Sequence, residues 1–135
     1  GREAVSAMQA AEELLIVTNP ELPSVTDALK TVKVAEMLKK PVTGIILNRV
    51  RNRWHELLPG DVVEMTGHPI IASIPEDRSV QKSVMLKMPV IHFDPNSDAA
   101  IEINRLAHKL TGSQFTYQKK YSLNLIQRIA RWLSS

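Results

Sequence analysis

Short apolar runs alternate along the chain with longer segments in which apolar residues recur every three or four positions. Continuous apolar runs are typical of strands buried on both faces, and the recurring pattern is typical of amphipathic helices. The predicted strands are Leu14–Thr18, Val42–Leu47 and Pro69–Ile74, and Pro89–Ile91 is predicted as a short extended piece. The predicted helices are Arg2–Glu12, Val25–Lys39, Pro59–Thr66, Ser79–Lys87, Ser97–Leu110 and Ser122–Leu133. Strands that alternate with helices predict an α/β fold, in which right-handed crossovers build a parallel sheet flanked by helices.

The length limits the chain to one domain. Its 135 residues can bury a core, but they are few for an α/β domain that hydrolyses nucleotides. Because residue 1 is a glycine and the helical pattern has begun by residue 2, we expect a part of a larger fold. Residues 1–111 are predicted to belong to the α/β domain, residues 112–121 to a polar linker, and residues 122–135 to a separate amphipathic helix.

The composition excludes several kinds of site. There is no cysteine, so this chain offers no disulfide, thiolate zinc site, iron–sulfur ligand or cysteine nucleophile. Its five glycines are isolated and none precedes a Lys-Ser or Lys-Thr pair, so it has no phosphate-binding loop. The four histidines stand in separate segments, and no local nucleophile motif occurs. We therefore predict no catalytic residue and no metal site in this chain.

Candidate binding residues follow the predicted strands directly. In open parallel sheets, ligands bind at the carboxyl ends of the strands. The second strand closes in Asn48 and Arg49, and the third is followed by Pro75, Glu76 and Asp77. A carboxamide such as Asn48 both donates and accepts a hydrogen bond, which matches the N6/N7 edge of adenine. The alternative is that these residues only form turns, and that an acidic residue here only interacts with a helix dipole.

The excess of positive charge lies at the end of the chain. Its net charge is +3, but residues 118–135 hold four basic and no acidic residues, so we expect no nucleic-acid partner. On a helix, the apolar residues form one broad face that includes a tryptophan, a pattern typical of helices that lie in a membrane interface. The membrane-binding residues are predicted to be Lys119, Lys120, Leu125, Ile126, Arg128, Ile129, Arg131, Trp132 and Leu133. The alternative is a last helix docked on the core.

These features together resemble the C-terminal half of the MinD-type cell-division ATPases, in the MinD/ParA branch of the deviant P-loop ATPases. The matching stretches are Gly1–Glu36, GIILNRV at Gly44–Val50, HPIIASIPEDRSVQKSV at His68–Val84, PVIHFDPNSDAA at Pro89–Ala100, and the basic amphipathic end of the chain. The stretch from Arg51 to Gly67 matches least. The resemblance implies part of a Rossmann-like three-layer P-loop ATPase domain, whose phosphate loop and magnesium ligands would lie in the other half.

The resemblance also implies roles for particular residues. Asn48 and Arg49 would lie on the adenine of ATP, and Pro75, Glu76 and Asp77 would complete its pocket. Glu21, Ser24 and Asp27 would lie where family members form a homodimer and bind a division inhibitor or activator. The C-terminal helix would hold the ATP-bound dimer on anionic lipid at the inner face of the cytoplasmic membrane, where the protein positions the division site.

Two alternatives remain open from the sequence. A flagellum-placing ATPase of the same branch would share every feature described, and a membrane-anchored adaptor without enzymatic activity would need no nucleotide. Because the chain has no phosphate loop, we expect it to be inactive alone and to bind neither ATP nor Mg²⁺ tightly.

Overall fold

The computed structural model describes residues 1–116 and 123–134. The elements are α1 (Arg2–Ala10), β1 (Leu14–Thr18), α2 (Leu22–Met37), β2 (Val42–Val50), α3 (Pro59–Thr66), β3 (Ile70–Pro75), α4 (Arg78–Met85), α5 (Val90–Phe93), α6 (Asp98–Thr111) and α7 (Leu123–Ser134). β1, β2 and β3 form a parallel sheet in that order, and helices connect the strands. The predicted α/β fold with a parallel sheet is confirmed.

The core lies between the sheet and the helices α2 and α3. Because side chains alternate along a strand, Ile45 and Leu47 of β2 point to this side and Ile46 to the other. Val25 and Val32 of α2 and Val62 of α3 pack onto the sheet from above, and all three are almost completely buried. This packing fixes the position of α2 and so brings its first turn to the carboxyl ends of the strands.

β1 is buried on one face only, so the prediction that both of its faces are buried is wrong. Ile16 and Thr18 are buried, whereas Leu15 and Val17 on the other face are 38% and 58% exposed. The physical reason is that α2 covers one face of β1, while α6, on the opposite face, packs against β3. The apolar residues Leu15 and Val17 of β1 would suit a sheet in which a helix also covered this second face of the strand.

Besides shifts of one or two residues at several element ends, three other local predictions differ from the structure. Pro89–Ile91 is not extended, because Pro89 caps the short helix α5 and its carbonyl accepts a hydrogen bond of 2.9 Å from Phe93 N. α2 begins at Leu22 rather than Val25, because Pro23 has the backbone φ that a first helical turn requires. β2 continues past Leu47 to Val50, so Asn48 and Arg49 lie within the strand.

Gly44 is required in the central strand by a close approach of β3. A Cβ at this position would lie 2.6 Å from Ile71 Cγ2 and 3.0 Å from Pro69 O. Gly44→Ala is therefore expected to lower the free energy of unfolding by about 1–3 kcal/mol, measured by urea denaturation. Gly60→Ala in α3 is the control, because a Cβ there meets nothing within 4 Å, and we expect it to raise stability slightly. Equal effects of the two substitutions would contradict the prediction.

Candidate functional site

An open groove lies on the face of the sheet opposite α2, at the carboxyl ends of the strands. Its apolar floor takes one side chain from each strand, Val17, Ile46 and Ile74. The groove has a volume of about 410 Å³ and is lined by Val17, Ile46, Asn48, Arg49, Ile74, Pro75, Glu76, Asp77, Val80, Gln81 and Ile103. A flat apolar floor with hydrogen-bonding groups at one end can hold a heteroaromatic ring.

A β-bulge in β2 brings two consecutive residues to this groove. Leu47 pairs with Ser73 and Val50 with Pro75, so β2 has one more residue than β3 between the two pairs. Arg49 occupies the left-handed region, with φ of 55°. A bulge redirects the side chains that follow it, which is why both Asn48 and Arg49 line the groove. Backbone strain of this kind is concentrated at functional sites.

Arg49 and Asn48 differ in whether their side chains already make hydrogen bonds within the protein. Arg49 Nη2 donates to Glu76 Oε1 at 3.2 Å, and 62% of the arginine side chain is exposed. The side-chain amide of Asn48 makes no hydrogen bond within the described part of the chain. Asn48 can therefore still both donate to a ligand and accept from it.

Asp77 uses both carboxylate oxygens on backbone groups. Oδ1 accepts from Ser79 N at 2.8 Å and caps α4, and Oδ2 accepts from Ala99 N at 3.1 Å in the first turn of α6. One side chain thus fixes the starts of the two helices that border the groove. The structure places all five predicted base-binding residues, Asn48, Arg49, Pro75, Glu76 and Asp77, in one groove, where their contact with a ligand remains a prediction.

Arg51 and Glu56 were not among the predicted site residues. Arg51 Nη2 donates to Glu21 Oε1 at 2.8 Å, and its Nε lies 3.6 Å from Glu56 Oε1 and 3.7 Å from Glu76 Oε2. We call Glu21, Arg49, Arg51, Glu56 and Glu76 the strand-end cluster. Its partners are up to 30 residues apart, so no local sequence pattern marks it. The available signal was that Glu21, Arg51 and Glu76 come within a few residues of the end of a predicted strand.

The predicted partner-binding residues fall into two places. Ser24 and Asp27 line a second groove, of about 450 Å³, that runs along β1 beside α2. Asp27 is exposed and lies 3.8 Å from Lys30 Nζ. Glu21 instead precedes α2 and is held in the strand-end cluster by Arg51. The structure therefore keeps Ser24 and Asp27 together and separates the Glu21 carboxylate from them.

The predicted membrane-binding residues are described only in part. In α7, Ile129, Trp132 and Leu133 are 51%, 77% and 72% exposed, and Arg131 is exposed as well. Leu125, Ile126 and Arg128 lie in α7, but only their backbone is described and not their side chains. Lys119 and Lys120 lie outside the described residues. Within the residues that the structure describes, no helix has both the length and the apolar character needed to cross a membrane.

No group of three or more metal-ligating side chains occurs in residues 1–116 and 123–134.

The beginning of the predicted linker is packed against α6. Phe115 lies 5.5 Å from the His108 ring, and the Arg105 guanidinium stands 5.0 Å above its centroid. The chain therefore leaves the α/β unit from a defined position at the end of α6.

Comparison with known proteins gives matches over most of the chain. The sequence profile described as "4Fe-4S iron sulfur cluster binding proteins, NifH/frxC family" matches residues 4–129. An uncharacterized ATP-binding protein of Methanocaldococcus jannaschii is 35% identical over 120 residues, which are 89% of this chain and 46% of that protein.

Solved structures also match most of this chain. The septum site-determining protein MinD of Pyrococcus horikoshii, complexed with Mg-ADP, matches with a TM-score of 0.72 and 30% identity over 78% of this chain and 43% of that chain. A chain of the MinC:MinD cell division protein complex of Aquifex aeolicus matches with a TM-score of 0.70 and 28% identity over 81% of this chain and 46% of that chain. The chain thus spans about half the length of the relatives that it matches.

The iron–sulfur cluster in the profile's description does not fit this chain. Such clusters are held by cysteine thiolates, and the sequence contains no cysteine. The groove of this chain has instead an apolar floor and side-chain amides, which are groups that can contact a heteroaromatic ring.

Proposed function

Since the chain belongs to the NifH/frxC family and resembles MinD-type ATPases over most of its length, we propose that it is the C-terminal half of a MinD-like cell-division ATPase. One observation carries this proposal. Five residues from the end of β2, the end of β3 and the segment that follows β3 line a single groove of a size and polarity that suit a purine base. The other half of the protein would supply the phosphate loop and the Mg²⁺ ligands.

The residues of this chain bind and orient the base in the proposed function. The floor of Val17, Ile46 and Ile74 contacts one face of the ring, and the planar guanidinium of Arg49 packs beside the base. Asn48 donates to one ring position and accepts from the exocyclic amine, which selects adenine over guanine. Mg²⁺ and the phosphate loop, which the other half of the protein would hold, would supply the positive charge and hydrogen-bond donors for the phosphates.

Membrane attachment in the proposed function depends on dimerisation. A single short amphipathic helix binds lipid weakly, whereas two helices on one dimer bind the same surface with avidity that exceeds either affinity by about 10²-fold or more. ATP would control the location of the protein by controlling dimerisation. The exposure of Ile129, Trp132 and Leu133 supports this role, because these apolar side chains of α7 are accessible. The protein would then act on the inner face of the cytoplasmic membrane.

A division-inhibitor or activator protein would bind beside α2. The structural relative in the MinC:MinD complex supports a partner of this kind in the family. Ser24 and Asp27 border an open groove on this side of the molecule, and the Asp27 side chain is 80% exposed. We propose that these two residues contact the partner, and that Glu21 acts on the same surface through the first turn of α2.

The experiment that tests the nucleotide site uses Asn48→Ala in the complete ATPase. Loss of the Asn48 carboxamide is expected to weaken ATP binding by roughly 1–3 kcal/mol and to reduce the preference for ATP over GTP. Calorimetry with both nucleotides measures the two effects. Asn104→Ala on α6, outside the groove lining, is the matched control and should change neither. Unaltered discrimination between ATP and GTP in Asn48→Ala would remove Asn48 from the base site.

A further inference from the structure

Arg51 connects three parts of the molecule at the carboxyl ends of the strands. Its guanidinium donates to Glu21 just before α2, and it lies within 3.7 Å of both Glu56 in the loop after β2 and Glu76 in the groove. The side chain of Glu56 is 5% exposed and that of Arg51 is 35% exposed. The pair with Glu56 is therefore better shielded from water than an ordinary surface pair, whereas the Glu21 side chain, at 39% exposed, remains accessible.

Glu21 joins this cluster to the backbone of α2. Its carboxylate accepts from Arg51 Nη2 at 2.8 Å, and its carbonyl accepts the first hydrogen bond of the helix, from Val25 N at 2.9 Å. The preceding carbonyl, of Pro20, accepts from Leu57 N at 2.7 Å. No side chain caps the N-terminus of α2, so the bond between Arg51 and Glu21 is a long-range side-chain contact that helps to hold its first turn, beside the burial of Val25 and the bond from Leu57 N to Pro20 O.

Glu76 is shared between two arginines. Its Oε1 accepts from Arg49, which lines the groove, and its Oε2 faces Arg51 Nε. A ligand that draws the exposed Arg49 guanidinium onto itself leaves Glu76 with Arg51 as its remaining cationic neighbour. The attraction between Glu76 and Arg51 then competes with the bond from Arg51 to Glu21, since one guanidinium serves both carboxylates.

We propose that Arg51 is a positioning residue that couples occupation of the groove to the first turn of α2, and through it to the surface of Ser24 and Asp27. The inference rests on the proposed nucleotide site and extends it to the regulation of partner binding. Nucleotide in the groove moves Arg51 toward Glu76 and loosens its hold on Glu21. The two sites then affect each other reciprocally, as linkage requires.

The test measures amide hydrogen exchange of Val25 by NMR in the complete ATPase, with and without Mg-ADP. In the parent protein, Mg-ADP is expected to speed Val25 exchange by roughly fivefold or more, the low end of usual couplings between sites. In Arg51→Gln, exchange should already be fast, and Mg-ADP should leave it unchanged. A purely structural role of Arg51 would instead shift the melting temperature and leave the response to Mg-ADP intact.

Arg53→Gln is the matched control. It removes the same charge from the same loop, and the Arg53 side chain makes no ion pair within residues 1–116 and 123–134. It should therefore keep the full response to Mg-ADP. A full response in Arg51→Gln, or no response in a parent protein that calorimetry shows to bind Mg-ADP, would overturn the coupling alone. A parent protein that does not bind Mg-ADP would overturn the coupling together with the proposed function.

Discussion

Ile129→Glu in the complete ATPase is expected to reduce ATP-dependent vesicle binding by about 10²-fold or more, at any lipid charge. The substitution places a carboxylate in the apolar face of α7, where Ile129, Trp132 and Leu133 are exposed. An interfacial helix must bury this face in the acyl boundary, so a charge there removes the apolar contribution to binding. The loss is multiplied because both helices of the dimer carry the change. Vesicle sedimentation with ATP measures it.

Two further variants separate the contributions to membrane binding. Ser134→Glu adds the same charge to a polar position of α7 and should retain most of the binding to neutral vesicles. Arg131→Ala removes an exposed cation, so it should weaken binding only to anionic vesicles, by roughly 1 kcal/mol per cation, and added salt should remove the difference. A docked helix would give the opposite result. Ile129→Glu would then lower the melting temperature, and neither the parent protein nor the variant would sediment with vesicles.

The sequence predicts the sheet well because each strand is marked by its own apolar run. Leu14–Thr18 is predicted and observed with the same bounds, and the alternation of runs with helical segments gives the parallel order. The groove is also predictable, because Asn48 and Glu76 come at or just beyond the ends of predicted strands and the carboxyl ends of parallel strands meet at one edge. Both predictions depend on local pattern and on topology, which the sequence contains.

The strand-end cluster could not be predicted because its contacts depend on three-dimensional proximity. The bulge at Arg49 cannot be read from the strand pattern, since a left-handed arginine has no local sequence signal. The pairing of Arg51 with Glu21 joins residues 30 positions apart, and Arg51 begins the stretch that matches the family least. The exposure of Val17 was mispredicted for a related reason, because an apolar run shows what a strand can bury and not which helix covers it.

Glu56 organises the loop after β2 more than any other side chain. Its carboxylate accepts from Arg51 N at 3.1 and 3.2 Å and from Asn52 N at 3.1 Å, and it also faces the Arg51 guanidinium. Asn52 is held in the left-handed region, with φ of 57°. This one carboxylate thus fixes the turn, because the N–H groups of Arg51 and Asn52 would have no other acceptor within the described residues.

Glu56→Ala is therefore expected to lower the free energy of unfolding by roughly 2 kcal/mol, the cost of leaving polar groups of a partly exposed loop without their acceptor. Two backbone N–H groups lose their acceptor, and Arg51 keeps its charge with one carboxylate fewer. Glu56→Gln keeps an acceptor of the same shape and should cost less, whereas Glu64→Ala on the exposed side of α3 should change stability by less than about 0.5 kcal/mol. Urea denaturation ranks the three variants. If Glu56→Ala and Glu64→Ala proved equally stable, the loop would be held by its contact with Pro20 alone, through the 2.7 Å bond from Leu57 N, and the carboxylate would not be its anchor.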